Sequence, residues 1–273
     1  MISLSSKEIL DKVSDTAAPK ATMSTAKLLL LGILAGAYIA FGAEGSTMAS
    51  FNLLANPETV GLGRFVMGAI FPCGLMLVIL CGAELFTGNC LMICGVLDKK
   101  AKVTGMLRNW AIVYIGNFIG SLMMVFFMSQ TGLWATGGGM LGAMVVKIAA
   151  GKCGLSFGSA FVCGILCNWL VCLAVWIATG AGDTASKILG IWWCIMFFVM
   201  SGFEHSIANM YFIPAGIVAS HNAEFVNLLG TDITNLNVQG FLLNNLLPVT
   251  LGNIVGGMVF AGMVYWFAHR RLK

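Results

Sequence analysis

The chain has 273 residues, of which 59% are hydrophobic and 10% are charged, with a formal net charge of +4. This composition excludes an ordinary soluble domain and indicates a membrane protein. The basic residues cluster near a few loops, so the charge reports on membrane topology and not on nucleic-acid binding. Most of the nine cysteines lie in apolar segments, which argues against a disulfide framework.

Residues 1–26 are polar and lack the apolar core of a secretory signal peptide. Ser5 and Glu8 have the spacing of a capping box, and the apolar residues after them recur at helical spacing. They predict a short cytoplasmic helix that ends at Pro19. Because this helix is too short and polar to cross a bilayer, an anchor at the membrane interface is favoured over a regulatory plug.

Six apolar segments predict an all-α domain of six transmembrane helices over residues 27–268, followed by a basic cytoplasmic tail at 269–273. A shorter apolar stretch, 140–150, contains Lys147 and is predicted to lie at the membrane surface. The six segments are 28–54, 65–97, 110–128, 157–178, 188–219 and 241–268.

The second and fifth segments are too long for one simple crossing, since roughly 20 helical residues span the hydrocarbon layer. Each contains a single charged residue, Glu84 or Glu204. A carboxylate at this depth costs about 2.5–3.5 kcal/mol unless it is paired or faces water. We therefore expect both helices to be interrupted near the carboxylate, with the interruption lining a cavity.

The two halves of the chain share two motifs in the same order, which indicates an internal duplication over about 27–131 and 155–268. The first motif has the form G-x-E-x-x-x-x-N, and the second is a Gly-Asn pair followed by another glycine in the next segment. The matching residues are Gly82, Glu84, Asn89, Gly116, Asn117 and Gly120, and Gly202, Glu204, Asn209, Gly252, Asn253 and Gly256.

Lysine and arginine positions predict the orientation. With both termini inside the cell, every basic residue except Arg64, Lys147 and Lys152 falls in a cytoplasmic segment. This predicts a multi-pass protein of the inner membrane. Because each repeat has three crossings, the two repeats are expected to be inverted relative to each other.

His205 is the only histidine in the fifth segment and follows Glu204 at the interruption, so a functional role is favoured over a packed core histidine. Its counterpart in the first half is Leu85. The carboxylates and asparagines at the two interruptions are interpreted as structural, accepting hydrogen bonds where the helices stop, in preference to acid–base catalysis. They are Glu84, Asn89, Glu204 and Asn209.

Four stretches closely resemble the formate/nitrite transporter family, and the resemblance covers nearly the whole chain. They are residues 84–89 (Glu-Leu-Phe-Thr-Gly-Asn), 168–174 (Asn-Trp-Leu-Val-Cys-Leu-Ala), 203–209 (Phe-Glu-His-Ser-Ile-Ala-Asn) and 248–253 (Pro-Val-Thr-Leu-Gly-Asn). The resemblance implies an aquaporin-like six-helix subunit, a homopentamer in the lipid bilayer, and one pore for a small monovalent anion through each subunit.

The resemblance also implies roles for individual residues. His205 matches the pore histidine, Thr87 the threonine of the movable loop, Lys152 the lysine near the outer end of the pore, and Asn168 an asparagine facing the lumen. The apolar constrictions fall on Phe71, Leu75, Leu85, Phe86 and Phe198.

The predicted function is passage of formate, nitrite or hydrosulfide without a cofactor, with His205 assisting by hydrogen bonding or protonation. A proton-coupled anion symporter is the alternative that sequence does not separate from a channel. A membrane-embedded redox or metal enzyme is disfavoured, because the chain lacks an H-E-x-x-H cluster and paired intramembrane histidines. Glu44, inside the first segment, has no assigned role.

Overall fold

The structure, a computed structural model, describes residues 4–272. The first three residues of the predicted N-terminal segment and Lys273 of the predicted tail lie outside this range. Every regular element in the described range is a helix. The helices are α1 Ser6–Thr22, α2 Thr25–Ala55, α3 Val60–Ile70, α4 Cys73–Leu80, α5 Met92–Leu97, α6 Val103–Gln130, α7 Met140–Cys153, α8 Phe157–Gly180, α9 Thr184–Ser201, α10 Ser206–Ala219, α11 Ala223–Leu228 and α12 Gly240–Arg270.

Six stretches of helix are long and apolar enough to cross a bilayer: α2, α3 with α4, α6, α8, α9 and α12. The second crossing is interrupted after α4 and resumes in α5, and the fifth is interrupted between α9 and α10. The all-α fold with two interrupted helices is therefore confirmed. Helix α12 contains two π-helical segments, Gly240–Leu246 and Gly256–Met263.

Both interruptions have the same backbone geometry. Gly82 and Gly202 adopt left-handed conformations, with φ of 76° and 78°, which a residue with a Cβ atom adopts only with strain. The amide of Glu84 then donates to the Leu31 carbonyl at 3.2 Å. The amide of Glu204 donates to the Cys163 carbonyl at 3.3 Å. Each interruption is thus held by the first crossing helix of its own half.

The repeated glycines bring helices into close contact. A Cβ atom at Gly120 of α6 would lie 1.9 Å from the Ile33 carbonyl oxygen of α2. A Cβ atom at Gly252 of α12 would lie 2.1 Å from the Phe161 carbonyl oxygen of α8. The predicted packing role of these small residues is confirmed, because no larger side chain fits between the two backbones.

Helix α1 begins with the predicted capping box of Ser5 and Glu8, but it continues through Pro19 to Thr22. The prediction that Pro19 ends the helix is therefore wrong, since a proline so near the C-terminal end disturbs only the last turn. Five residues of α1 are buried against the rest of the protein: Ile9, Leu10, Val13, Ser14 and Ala17. One face of the helix is therefore docked on the rest of the protein.

An ionic cluster fastens α1 to the loop after α5 and to the end of α12. Asp98 accepts hydrogen bonds from Ser14 at 2.7 Å, from Trp266 at 2.7 Å and from Arg270 at 2.9 Å. Arg270 also pairs with Asp11 of α1 at 2.7 Å. Burial alone would raise the pKa of Asp98, but these donors hold that pKa well below its usual range. We call these residues the Asp98 cluster.

The predicted surface segment 140–150 forms α7, in which Leu141 to Val146 are buried without interruption. Helix α7 packs between α10, α11 and α2, so the segment is embedded in the protein, and its position at the membrane surface stays a prediction. We name the two ends of the molecule by the lysines described below. The Lys152 face contains residues 55–64, 131–156 and 220–239, and the Lys20 face contains α1, 97–103, 180–184 and 268–272.

Candidate functional site

A cavity of about 360 Å³ opens on the Lys152 face and reaches His205. We call it the Lys152 vestibule. Lys152 extends from the last turn of α7 and pairs with Glu204 at 2.8 Å. Its ammonium group also lies 5.3 Å from the centre of the Phe212 ring, a favourable cation–π geometry. A lysine–carboxylate pair therefore lines the vestibule together with His205.

An asparagine network holds Glu204 in place. Asn209 donates to Glu204 at 2.6 Å and to the Asn245 side-chain oxygen at 2.7 Å. Asn245 in turn donates to the Lys152 carbonyl at 3.0 Å. Asn253 donates to the Glu204 carbonyl at 3.0 Å and accepts the freed amide of Ser206 at 2.9 Å. The carboxylate and the helix end are satisfied together, as expected for a buried interruption.

The first half repeats this network around Lys20 of α1. Lys20 pairs with Glu84 at 2.6 Å and donates to the Asn89 side-chain oxygen at 3.0 Å. Asn89 donates to Glu84 at 2.7 Å and to Asn109 at 2.8 Å. Asn109 donates to the Lys20 carbonyl at 3.2 Å. Lys20 also lines a cavity of about 100 Å³ beside Asn89, which we call the Lys20 vestibule.

Between these two networks lies an apolar chamber of about 10 Å³, enough for roughly one water molecule. It is lined by Ile39, Phe71, Leu75, Leu85, Val171, Ile195, Phe198 and His205. Four of the five predicted constriction residues are in this set. Phe71, Phe198 and His205 also line the Lys152 vestibule, so these side chains separate the two spaces.

Phe86, the fifth predicted constriction residue, lies elsewhere. Its ring packs edge-on against Tyr114 at 4.9 Å and Trp110 at 5.9 Å, in a groove beside α6 and α12. The backbone at Leu85 is not helical, and successive side chains of such a segment point in opposite directions. Leu85 therefore faces the chamber while Phe86 faces away from it.

His205 is fixed in one tautomer by its position at the start of α10. The amide of Ala208 donates to its Nδ1 atom at 3.1 Å, so Nδ1 carries no proton. In the neutral ring the proton is then on Nε2, which lies 2.9 Å from the Thr87 hydroxyl oxygen. The Nε2–H group of His205 donates to Thr87, and both side chains are buried.

Asn168 is fully buried and holds the loop that carries Thr87. It donates to the Thr87 carbonyl at 3.2 Å and to the Asn253 carbonyl at 2.7 Å. Cys172 donates to the same Thr87 carbonyl at 3.4 Å. Asn168, predicted to face the lumen, is not among the residues that line the chamber, and it joins the first interruption to α12.

Sequence reasoning missed Lys20, because it lies in a polar segment without a local motif. A signal was nevertheless present in the duplication. Lys20 precedes Gly32 by the same number of residues as Lys152 precedes Gly164, and these glycine carbonyls accept from Asn117 and Asn253 respectively. Extending each repeat toward its N terminus would have paired the two lysines.

Glu44 is buried between α2 and α10, where the Tyr211 hydroxyl donates to it at 2.5 Å. Its other carboxyl oxygen has no hydrogen-bond partner among the described residues. The pair joins two helices that carry pore residues.

The model of the formate/nitrite transporter family matches residues 7–267. A probable formate transporter from Methanothermobacter thermautotrophicus is 42% identical over 257 residues, covering 89% of each chain. The formate channel FocA of Escherichia coli K12 is 36% identical over 257 residues, covering 92% of this chain and 90% of FocA. A solved pentameric formate channel with formate bound superposes with a TM-score of 0.80 at 38% identity, covering 90% of this chain and 97% of that one. The relatives are channels and transporters and not enzymes, and the chain belongs to the formate/nitrite transporter family.

Proposed function

We propose that the chain passes small monovalent anions, with formate as the first candidate, through a pore in each subunit of a homopentamer. The observation that carries this proposal is the arrangement of two lysine–carboxylate pairs on either side of an apolar chamber whose wall contains one histidine. The names of the relatives favour formate, and the solved pentamer favours the assembly.

The arrangement supports passage of an anion in three stages. Lys152 or Lys20 binds the anion in a vestibule through ammonium hydrogens that its glutamate partner leaves available. The chamber has room for roughly one water molecule, so the solute enters it largely dehydrated. A bare ion loses several kcal/mol of hydration there, which favours a small solute whose conjugate acid is neutral. Nitrite and hydrosulfide satisfy the same condition as formate.

We infer that His205 assists as a hydrogen-bond donor. Its Nε2–H group is the polar group of the chamber wall and can transfer its hydrogen bond from Thr87 to the passing solute. A second proton on the ring would displace the Ala208 amide from Nδ1 and place a positive charge near Lys152. Hydrogen bonding is therefore favoured over protonation by His205, and a neutral acid would take its proton from solution.

Orientation follows from the distribution of basic residues. We propose that the Lys20 face is cytoplasmic and that the Lys152 face lies outside the inner membrane, since most lysines and arginines are on the Lys20 face. The repeats are then inverted across the membrane plane.

The experiment is solute flux into proteoliposomes that contain the purified full chain. Formate, nitrite and hydrosulfide are each supplied with and without a proton gradient, and protein-free vesicles are the control. Saturable flux of formate down its own gradient is the expected result. Flux that requires the proton gradient identifies the symporter instead, and flux equal to that of protein-free vesicles for all three solutes would contradict the proposal.

A further inference from the structure

Acidic residues dominate the loops of the Lys152 face. Four connecting segments join helix ends on this face, and they contain no lysine or arginine. They contain Glu58, Glu224 and Asp232, whose side chains are all exposed. These segments are residues 56–59, 131–139, 154–156 and 220–239.

The basic residues of this face lie together in the vestibule wall. Arg64 of α3 and Lys147 of α7 line the Lys152 vestibule with Lys152 itself. Neither Arg64 nor Lys147 has an acidic partner within salt-bridge distance among residues 4–272. Glu204 is the acidic residue among the described lining residues, and Lys152 compensates its charge. Two uncompensated positive charges therefore remain in the wall.

The Lys20 vestibule differs in charge despite its similar network. Lys20 is the basic residue among the described residues that line it, and Glu84 compensates its charge at 2.6 Å. The two vestibules therefore differ in charge. The wall of the Lys152 vestibule has an excess of positive charge, whereas the charges in the wall of the Lys20 vestibule cancel.

We propose that Arg64 and Lys147 form a collecting site for small monovalent oxyanions, which concentrates them above Lys152 and makes capture from this face more efficient than capture from the Lys20 face. This inference rests on the proposed function. A cleft of one charge sign within low-dielectric walls focuses the field and raises the local concentration of counter-ions. The exposed carboxylates of the surrounding loops repel anions, so on this face the attraction is limited to the cleft itself.

Lys147 and Lys152 lie five residues apart on one helix, which is about 7.5 Å along its axis. This axial rise is shorter than the Debye length of roughly 10 Å at 0.1 M salt, so salt at this concentration screens the two charges from a shared anion only in part. At 1 M salt the Debye length falls to roughly 3 Å and the sites become independent. Salt therefore distinguishes collection by several charges from binding at Lys152 alone.

The test measures initial formate flux against formate concentration in vesicles in which all pores have one orientation. A tag after Lys273 allows vesicles of each orientation to be captured separately. The variant Arg64→Gln/Lys147→Gln removes both charges, and Arg64→Lys/Lys147→Arg keeps them. The matched control, Lys7→Gln/Lys102→Gln, removes two exposed lysines without a salt-bridge partner in the described range, both on the Lys20 face.

In low salt, the charge-removing variant is expected to raise the half-saturating formate concentration roughly three- to tenfold for flux from the Lys152 face. Maximal flux and flux from the Lys20 face stay as in the wild type. The charge-keeping and control variants behave as the wild type, and the wild-type advantage disappears in 1 M salt. An unchanged half-saturating concentration in the charge-removing variant overturns the proposal, as does an equal rise in the control.

A second measurement separates this inference from the proposed function. Broadening of the ¹³C formate resonance by the detergent-solubilised protein reports binding without transport. Binding that weakens in the charge-removing variant but is accompanied by no flux supports the collecting site and contradicts the proposed passage. If the charge-removing variant conducts formate with unchanged half-saturation and unchanged broadening, then the collecting site is overturned and the proposed passage stands. Broadening lost only when anionic lipid is added identifies headgroup phosphate as the occupant and also overturns it.

Discussion

His205 combines two tasks in one side chain, because Nδ1 caps α10 while Nε2 donates into the chamber. An asparagine retains an oxygen that can accept the Ala208 amide, but it is too short to reach Thr87 from the same position. The two tasks can therefore be separated by substitution.

We predict that His205→Asn folds normally and lowers formate flux by up to about tenfold, since one hydrogen bond to a neutral solute is worth about 0.5–1.5 kcal/mol and each 1.4 kcal/mol is about tenfold in rate. Flux in proteoliposomes and the melting temperature in detergent are the two measurements. Thr87→Ser, which keeps the hydroxyl, serves as the control and should retain wild-type flux. Unchanged flux in folded His205→Asn would show that the ring only fills space.

The two lysines provide a second prediction at this scale. Lys20→Met and Lys152→Met each leave a buried carboxylate without its cation, and we expect each to cost about 1–3 kcal/mol of stability. The lysine side chains are 26% and 16% exposed, which keeps the cost below that of a fully buried pair. Melting temperature in detergent is the measurement.

Adding Glu84→Gln to Lys20→Met should recover much of the lost stability, because the unpaired charge is removed. The same recovery is expected when Glu204→Gln is added to Lys152→Met. If Lys20→Met melts as the wild type does, then the pair between α1 and the first interruption contributes nothing, and α1 is held by its other contacts alone.

At the scale of elements, the sequence predicted the interruptions because a single carboxylate in a long apolar run is costly unless the helix breaks around it. It also predicted the close helix contacts, because glycines four residues apart on one helix face let another backbone approach. It did not predict the docking of α1 or the burial of α7, since both depend on partners far away in the chain. Phe86 was assigned to the chamber with Leu85 because a motif does not specify which way each side chain points.

The Asp98 cluster makes α1 a fixed part of the protein. The pKa of Asp98 is lower in the folded state than its unfolded value of roughly 3.9. Its contribution to stability is therefore complete above the unfolded pKa and is lost only as the pH falls through the lowered folded value. Amide hydrogen exchange of residues 6–22, corrected for the intrinsic rate, should show constant protection from pH 8 to about pH 5.

We predict that Asp98→Asn reduces the protection of α1 by about 1–3 kcal/mol, because Arg270 loses a charged partner that is only 13% exposed. Asp15→Asn is the matched control, since Asp15 pairs with Lys100 on the surface and is 66% exposed. Equal loss of protection in the two variants would contradict the proposal that the Asp98 cluster holds α1 on the protein.

At the scale of the whole molecule, many large apolar side chains are exposed along the helices, including Phe41, Phe126, Trp193 and Val264. Such surface belongs against lipid or other subunits. We predict a native mass of five chains of 28.9 kDa in detergent, measured by light scattering with the detergent contribution subtracted. A monomer that conducts formate would contradict the need for the pentamer.

Each lysine network lies within one half of the chain. The backbone can therefore be cut between the halves without separating the members of either network. Lys20, Glu84, Asn89 and Asn109 precede the glycines at 137–139, and their counterparts all follow them. A protease site placed at 137–139 should leave two fragments that stay associated and conduct, whereas a cut at 99–101 should lower the melting temperature because it separates Asn109 from Glu84. Flux and melting temperature are measured after each cut, and a denaturing gel verifies the fragments. If the first cut preserves flux, then one pore persists as two half-length polypeptides, each beginning with its own lysine helix, without a covalent connection between them.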